Sequence, residues 1–114
     1  MVKNEMKIIN ISRDFSNVPA GRHEEDGDFS GEAFRDKLLV PALKEYDQVQ
    51  VILDDTEGFG SSFLEEAFGG LIRYCGFTKA YLDKHLSLVA NSTGAMRYPS
   101  RISSYIEKAV PVGK

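Results

Sequence analysis

Two adjacent hydroxyls, Ser61 and Ser62, follow the glycine-spaced run Gly58-Phe59-Gly60 and open a long apolar-periodic segment. Serines in that position sit at a helix N-terminus, where unpaired N–H groups and the helix dipole favour negative charge. A phosphate added there brings nearly two charges and can rearrange the local surface. The competing role is structural. Ser62 and Glu65 have capping-box spacing, in which each side chain satisfies an orphan donor of the first turn. Under that reading Ser62 caps and Ser61 is left free.

Carboxylates surround the pair: Asp54, Asp55 and Glu57 before it, Glu65 and Glu66 after it. Paired Asp residues at a strand end can hold Mg²⁺ through oxygen ligands, or they can form a solvated loop rim, which is the reading adopted. The same acids would repel a nucleotide phosphate, and Gly58-x-Gly60 is much weaker than a full phosphate-loop pattern. No bound metal and no cofactor are therefore expected. Gly69-Gly70 lies inside the helical pattern, where each glycine costs roughly 0.8–1 kcal/mol relative to alanine. Such a pair implies either close packing or a helix built to yield. Glu65, Glu66, Gly69 and Arg73 fall off the apolar stripe and are expected to face outward. With Gly58, Phe59, Gly60, Ser61 and Ser62 they make up the expected partner-binding surface. Tight packing within the domain is the alternative for the glycines.

The remaining reactive residues form thinner constellations. His23 lies among Glu24, Glu25 and Asp26, which suggests a general base or metal ligand less well than a charged surface loop. Arg22 and Arg35 could receive an anionic partner, but pairing with nearby acids is preferred. The one cysteine, Cys75, sits in an apolar helical pattern and reads as a small buried hydrophobe. No Ser-His-Asp set can be assembled. No catalytic residue is assigned and no enzymatic activity is expected.

The elements that must position these residues alternate. Met6–Ile11 is an Ile-rich run and reads as a strand. Residues 13–29 are a long polar connection, expected to hide a short edge strand or a functional loop. Ser30 can cap the next helix, whose stripe is Phe34, Leu38, Ala42 and Tyr46. Pro41 within it predicts a kink or a break. Gln48–Asp54 is the clearest strand, its apolar run Val51-Ile52-Leu53 being that of a central strand buried on both faces. Phe63, Leu64, Ala67, Phe68, Leu71, Ile72 and Cys75 give the strongest helical periodicity in the chain, and Gly76 can end it. A short helix over 78–86, a strand over 86–90 and a final helix from Pro99 follow. Strands alternating with helices imply a largely parallel sheet.

The chain has 114 residues, 42% hydrophobic and 27% charged, which fits one globular domain spanning 1–114. A net charge of −3 offers nothing to neutralise a phosphate backbone, so nucleic acid is not an expected partner. No apolar run approaches the roughly 18 residues of a membrane span, and the first residues lack the apolar core of a signal peptide. A cytoplasmic location is expected.

The runs Asp26-Gly27-Asp28-Phe29-Ser30-Gly31-Glu32-Ala33-Phe34-Arg35 and Asp54 to Gly70, with GSSFLEEAFGG at the centre of the second, resemble the STAS-like domain family. This is a bacterial group related in fold to anti-sigma-factor antagonists, and the resemblance covers roughly residues 7–108. It implies an α/β fold with a small mixed or mostly parallel sheet and helices packed on it. In the antagonists a strand ends in a loop with an Asp-Ser-Ser/Thr-Gly motif, whose first Ser is phosphorylated by an ATP-dependent partner kinase. Ser61 matches that serine and Ser62 the second hydroxyl, while Gly60 stands in place of the motif's Asp and Phe63 in place of its Gly. The implied role is a non-enzymatic regulatory module whose partner is a histidine-kinase-like ATPase. A small-ligand or nucleotide-binding domain using the Gly58–Ser62 helix N-terminus is the second reading, and Mg²⁺-dependent phosphotransfer through Asp54 and Asp55 the third.

Overall fold

A computed structural model describes residues 3–112. Strand β1 (Lys3–Asn10) leads through a π-turn at Ile11–Phe15 and a 3-10 turn at Glu24–Asp26 into helix α1 (residues 31–45). Strand β2 (Tyr46–Ile52), helix α2 (residues 61–73), helix α3 (Lys79–His85), strand β3 (Leu86–Val89) and helix α4 (Tyr98–Lys108) complete the order. The strand and helix order is the one the periodicity predicts. β1 begins earlier than expected, and Ile11 falls into the turn after it.

The sheet is three-stranded in the order β1-β2-β3, and both pairings are parallel. β2 is central, with Ile9 opposite Val51 and Val51 opposite Leu88. Because side chains alternate along a strand, Ile9, Val49 and Val51 share one face and are buried in the core with Phe34, Phe63, Phe68 and Leu71. Burial of β2 on both faces does not hold. Register puts Met6 and Ile8 on the opposite face beside Gln48 and Gln50, and these two remain 53% and 45% exposed. Helices α1 and α2 pack against each other on one side, which leaves the second face open.

Two helices carry irregular turns. In α1, segments Gly31–Phe34 and Val40–Glu45 flank the π-wound Arg35–Leu39, yet backbone angles stay helical throughout. Ser30 caps it as expected, its Oγ accepting from Ala33 N–H at 3.1 Å. Pro41 causes no break. The widened turn just before it, closed by Val40 N–H donating to Arg35 O, absorbs the proline. Helix α2 has the same build, with Ser61–Leu64, π-wound Glu65–Gly69 and Gly70–Arg73.

The connection over 13–29 holds no strand among the described residues. It is pinned by backbone bonds instead: Glu57 N–H to Asn17 O at 2.7 Å, Gly31 N–H to Gly21 O at 2.9 Å and Glu32 N–H to Arg22 O at 3.0 Å. Where α1 crosses α2, Gly31 has no room for a side chain, because a Cβ there would collide with the Phe63 carbonyl oxygen. Gly31→Ala is therefore expected to destabilise the fold by about 1–3 kcal/mol, the usual cost of overpacking. Gly94→Ala, at a site with nothing within 4 Å, should change it by less than ~0.5 kcal/mol. Urea unfolding of the two variants measures both.

Candidate functional site

The segment between β2 and α2 carries the two serines. Phe59 is buried, stacks on Phe63 at 5.7 Å and meets the Tyr98 ring edge-on at 5.0 Å. Its N–H donates to the Tyr98 hydroxyl at 3.1 Å. Phe63 and Leu64 are buried on the far side of the pair. Apolar anchors on both sides thus hold Gly60, Ser61 and Ser62 at the surface, where all three are exposed.

The capping-box expectation is overturned. Helix α2 begins at Ser61, its N-cap is Gly60, and no side chain caps the first turn. Neither serine hydroxyl has a partner among the described residues, so Ser62 is as free as Ser61. Ser62 lies inside the helix and not at its N-cap, and the Glu65 carboxylate is in any case taken by arginines. Arg73 grips it with two bonds, at 2.8 and 3.0 Å, and Arg22 Nη1 reaches it at 2.6 Å.

Glu66 is also bound inward. It is 2% exposed, and its Oε2 accepts from Arg35 Nη1 at 2.7 Å. The same nitrogen donates to the Glu66 carbonyl at 3.1 Å, and Arg22 reaches Glu66 Oε1 at 3.1 Å. Arg35, itself 5% exposed, has its Nε on Asp36 at 2.9 Å. The two π-wound segments face each other with this pair between them. Burial opposes the charge on Arg35, but Asp36 and Glu66 outweigh it and hold the guanidinium firmly protonated.

The glycine pair follows from the network. Gly69 lies midway along the row Glu65, Gly69, Arg73, and a Cβ there would come within 2.9 Å of Glu65 Oε2, pressing into the bridge laid across it. A Cβ on Gly70 would collide with Arg35 Nη1. The close approach is made within the chain. The outward-facing surface expected of Glu65, Glu66, Gly69 and Arg73 is therefore corrected: Glu66 and Gly69 are buried, and Glu65 and Arg73 are half-buried and paired to each other. Phe59 is buried too, which leaves Gly58 half-buried and Gly60, Ser61 and Ser62 as the accessible part.

The other candidates resolve locally. Asp54 is buried at the end of β2, and its carboxylate accepts from Ser92 N–H at 2.7 Å and Asn91 N–H at 2.9 Å. Burial pushes its pKa up, but these donors outweigh that and leave it below the usual carboxylate range. It thus ties the loop after β2 to the loop after β3. Asp55 is exposed, with a positive φ of 70°. Among the described residues no three His, Cys, Asp or Glu side chains converge in a way that could hold a metal ion. His23 Nδ1 lies 3.5 Å from Glu32. Cys75 is half-buried rather than fully so, and burial pushes its thiol up. No helix among the described residues is long and apolar enough to cross a membrane.

Residues 30–93, from the cap of α1 to the loop after β3, match the family model described as a STAS-like domain of unknown function (DUF4325). The chain belongs to that family. The matched stretch contains α1, β2, the Ser61–Ser62 segment, α2 and β3, with Arg35, Glu65, Glu66 and Arg73 of the ion network. Arg22, from the loop before it, is the one arginine of the network outside the match. No curated protein and no solved structure matches the chain.

Two measurements test the network. Glu66→Ala removes the buried carboxylate from Arg35, which keeps only the more exposed Asp36, and is expected to cost about 3 kcal/mol in denaturant unfolding, whereas Glu57→Ala, on the exposed loop, should stay within ~0.5 kcal/mol. The second is pH. Arg73, opposed by burial and aided by Arg22, holds Glu65 below its ordinary range. A carboxylate with a depressed folded pKa contributes stability that is present above its unfolded value, about 4.3, and lost as pH falls through the folded one. Thermal melts should show the parent losing stability below roughly pH 4.3. Glu65→Gln should be less stable at neutral pH and flatter across the acid range.

Proposed function

We propose that this STAS-like chain is a non-enzymatic regulatory module that binds a partner protein through the surface around Gly60, Ser61 and Ser62, and that phosphorylation of Ser61 switches that binding. The observation that carries this reading is the pair of exposed hydroxyls, free of any partner among the described residues, on the uncapped first turn of α2. Both are held by the buried Phe59, Phe63 and Leu64. A histidine-kinase-like ATPase is the class of partner that the resemblance to anti-sigma-factor antagonists suggests.

The hollow that reaches Gly58, next to the serines, is smaller than a ligand site would need. It is lined by Thr56, Glu57, Gly58, Arg97 and Tyr98 among others and has a volume of about 130 Å³. Small-molecule sites generally enclose about 300–1,000 Å³. A protein surface needs no such cavity, only exposed groups on a rigid base.

Ser61→Asp is expected to fold as the parent does and to lose the partner, because a charge desolvated without a counter-charge costs several kcal/mol. Ser61→Ala should fold and keep it. The test is affinity capture from the native cell with parent and both variants, alongside phosphosite mapping of the endogenous protein. Identical captured partners for all three, with no phosphate on Ser61, would refute the switch.

A further inference from the structure

The two edges of the sheet are unlike. The β1 edge is interrupted by a register shift between Lys3 and Met6 and bears the exposed charges of Glu5 and Lys7. Shifts and charges of this kind block strand addition. The β3 edge has neither. Its four residues, Leu86-Ser87-Leu88-Val89, pair with β2 in unbroken register and include no charge and no proline. Val89 O accepts from Leu53 N–H at 2.9 Å, so residues 87 and 89 turn their backbone groups toward β2. In a parallel strand the alternate residues then turn theirs away. Leu88 N–H and C=O, the Leu86 C=O and the Ala90 N–H point off the open edge. Leu86 N–H is already used, closing the C-terminus of α3 on Leu82 O.

A groove of about 430 Å³ runs alongside this edge, between α3 and α4. Its apolar walls are Leu82, Leu86, Leu88 and Ile106, and the last three are only partly buried. Its rim carries both signs, Lys79 and Asp83 on α3 and Glu107 on α4, all exposed and none in an ion pair among the described residues.

We infer that β3 is a self-association edge, pairing antiparallel with β3 of a second copy of this chain to make one six-stranded sheet. Three features favour a second copy over another occupant. The unsatisfied groups are main-chain ones, which an extended strand satisfies and a helix cannot. A two-fold axis at Leu88 sets Leu88 against its counterpart with two hydrogen bonds exchanged, and brings each Ala90 N–H to the other copy's Leu86 C=O. Leu86 N–H stays on Leu82 O, so each 86–90 pair of that register is joined by one hydrogen bond and not two. Finally, a rim with both signs complements itself under a two-fold rotation, which a rim of one sign cannot do. The apolar walls of the two grooves then become one covered surface.

Sedimentation velocity of the full chain over a wide concentration range tests this. The parent is expected to sediment as a dimer that dissociates on dilution. Leu88→Lys, a charge set on the edge, should be monomeric with an unchanged circular dichroism spectrum. Because Leu88 is itself partly buried, Lys79→Glu provides a second reading. It changes an exposed rim residue to make the rim wholly acidic, and should weaken dimerisation at least several-fold, with the loss reduced at high salt. A parent that is monomeric throughout, or a dimer that Lys79→Glu leaves equally tight, overturns the inference.

Discussion

The Arg35–Glu66 pair is the constraint on which the rest of the packing depends. Both side chains are almost fully buried, and neither could be so alone. A buried ion pair adds little net stability, because desolvation consumes most of the attraction. What it fixes is geometry. A rotation of α2 by one residue would bury a carboxylate without its arginine, at a cost large beside a domain's whole margin. The Arg35 guanidinium also needs space, which Gly70 supplies by having no side chain. The Glu65–Arg73 bridge, which completes the network on the same face, lies over Gly69. The two consecutive glycines, each costing roughly 0.8–1 kcal/mol in helix propensity, thus stand where a Cβ would press on Glu65 and Arg35 and shift the pairs they make.

This constraint bears on the serine loop through α2. The helix is held at its middle by arginines from the loop before α1, from α1 and from its own last turn. At its start it is held by Phe63 in a cluster with Phe15, Phe34 and Phe59. Its first turn therefore has little freedom to shift, while the hydroxyls on it remain exposed. Exposed polar groups on a rigid element are what a specific contact requires, since little ordering entropy is lost on binding.

The sequence made the periodic features legible and hid the paired ones. β2, α2 and the capping of α1 by Ser30 could be read because their signals are local, within one turn or one pleat. The ion network was missed because Arg22 and Arg35 are more than thirty residues from Glu66. Nothing at short range says that they meet. By periodicity Glu66 faces outward, because it lies off the stripe of Phe63, Ala67 and Leu71. A usable signal was present nonetheless. Glu66 neighbours Phe63 at i−3 and Gly70 at i+4 on the helix surface, and both of these are buried. The misplaced capping box is a boundary effect: the Ser62–Glu65 spacing is correct, but the helix starts at Ser61 with Gly60 as its N-cap, and Glu65 pairs with a residue eight positions on.

That reassignment of carboxylates changes the electrostatics on which the proposed switch depends. From sequence, five acids crowd Ser61, and a phosphate there would be opposed by all of them. In the fold Glu65 and Glu66 are neutralised by three arginines, and the Asp54 carboxylate is satisfied by the N–H groups of Asn91 and Ser92. Asp55 and Glu57 remain as exposed loop charges, screened by solvent. Opposing them are the uncapped N–H groups of the first turn of α2, worth about 0.3–1 kcal/mol to an exposed anion. The antagonists carry an Asp where this chain has Gly60, so here no carboxylate directly precedes the serine. The balance at Ser61 is therefore less hostile to a phosphate than the acidic sequence around it suggests. A charge placed there would act on whatever surface covers the loop, with little effect on the helix beneath it.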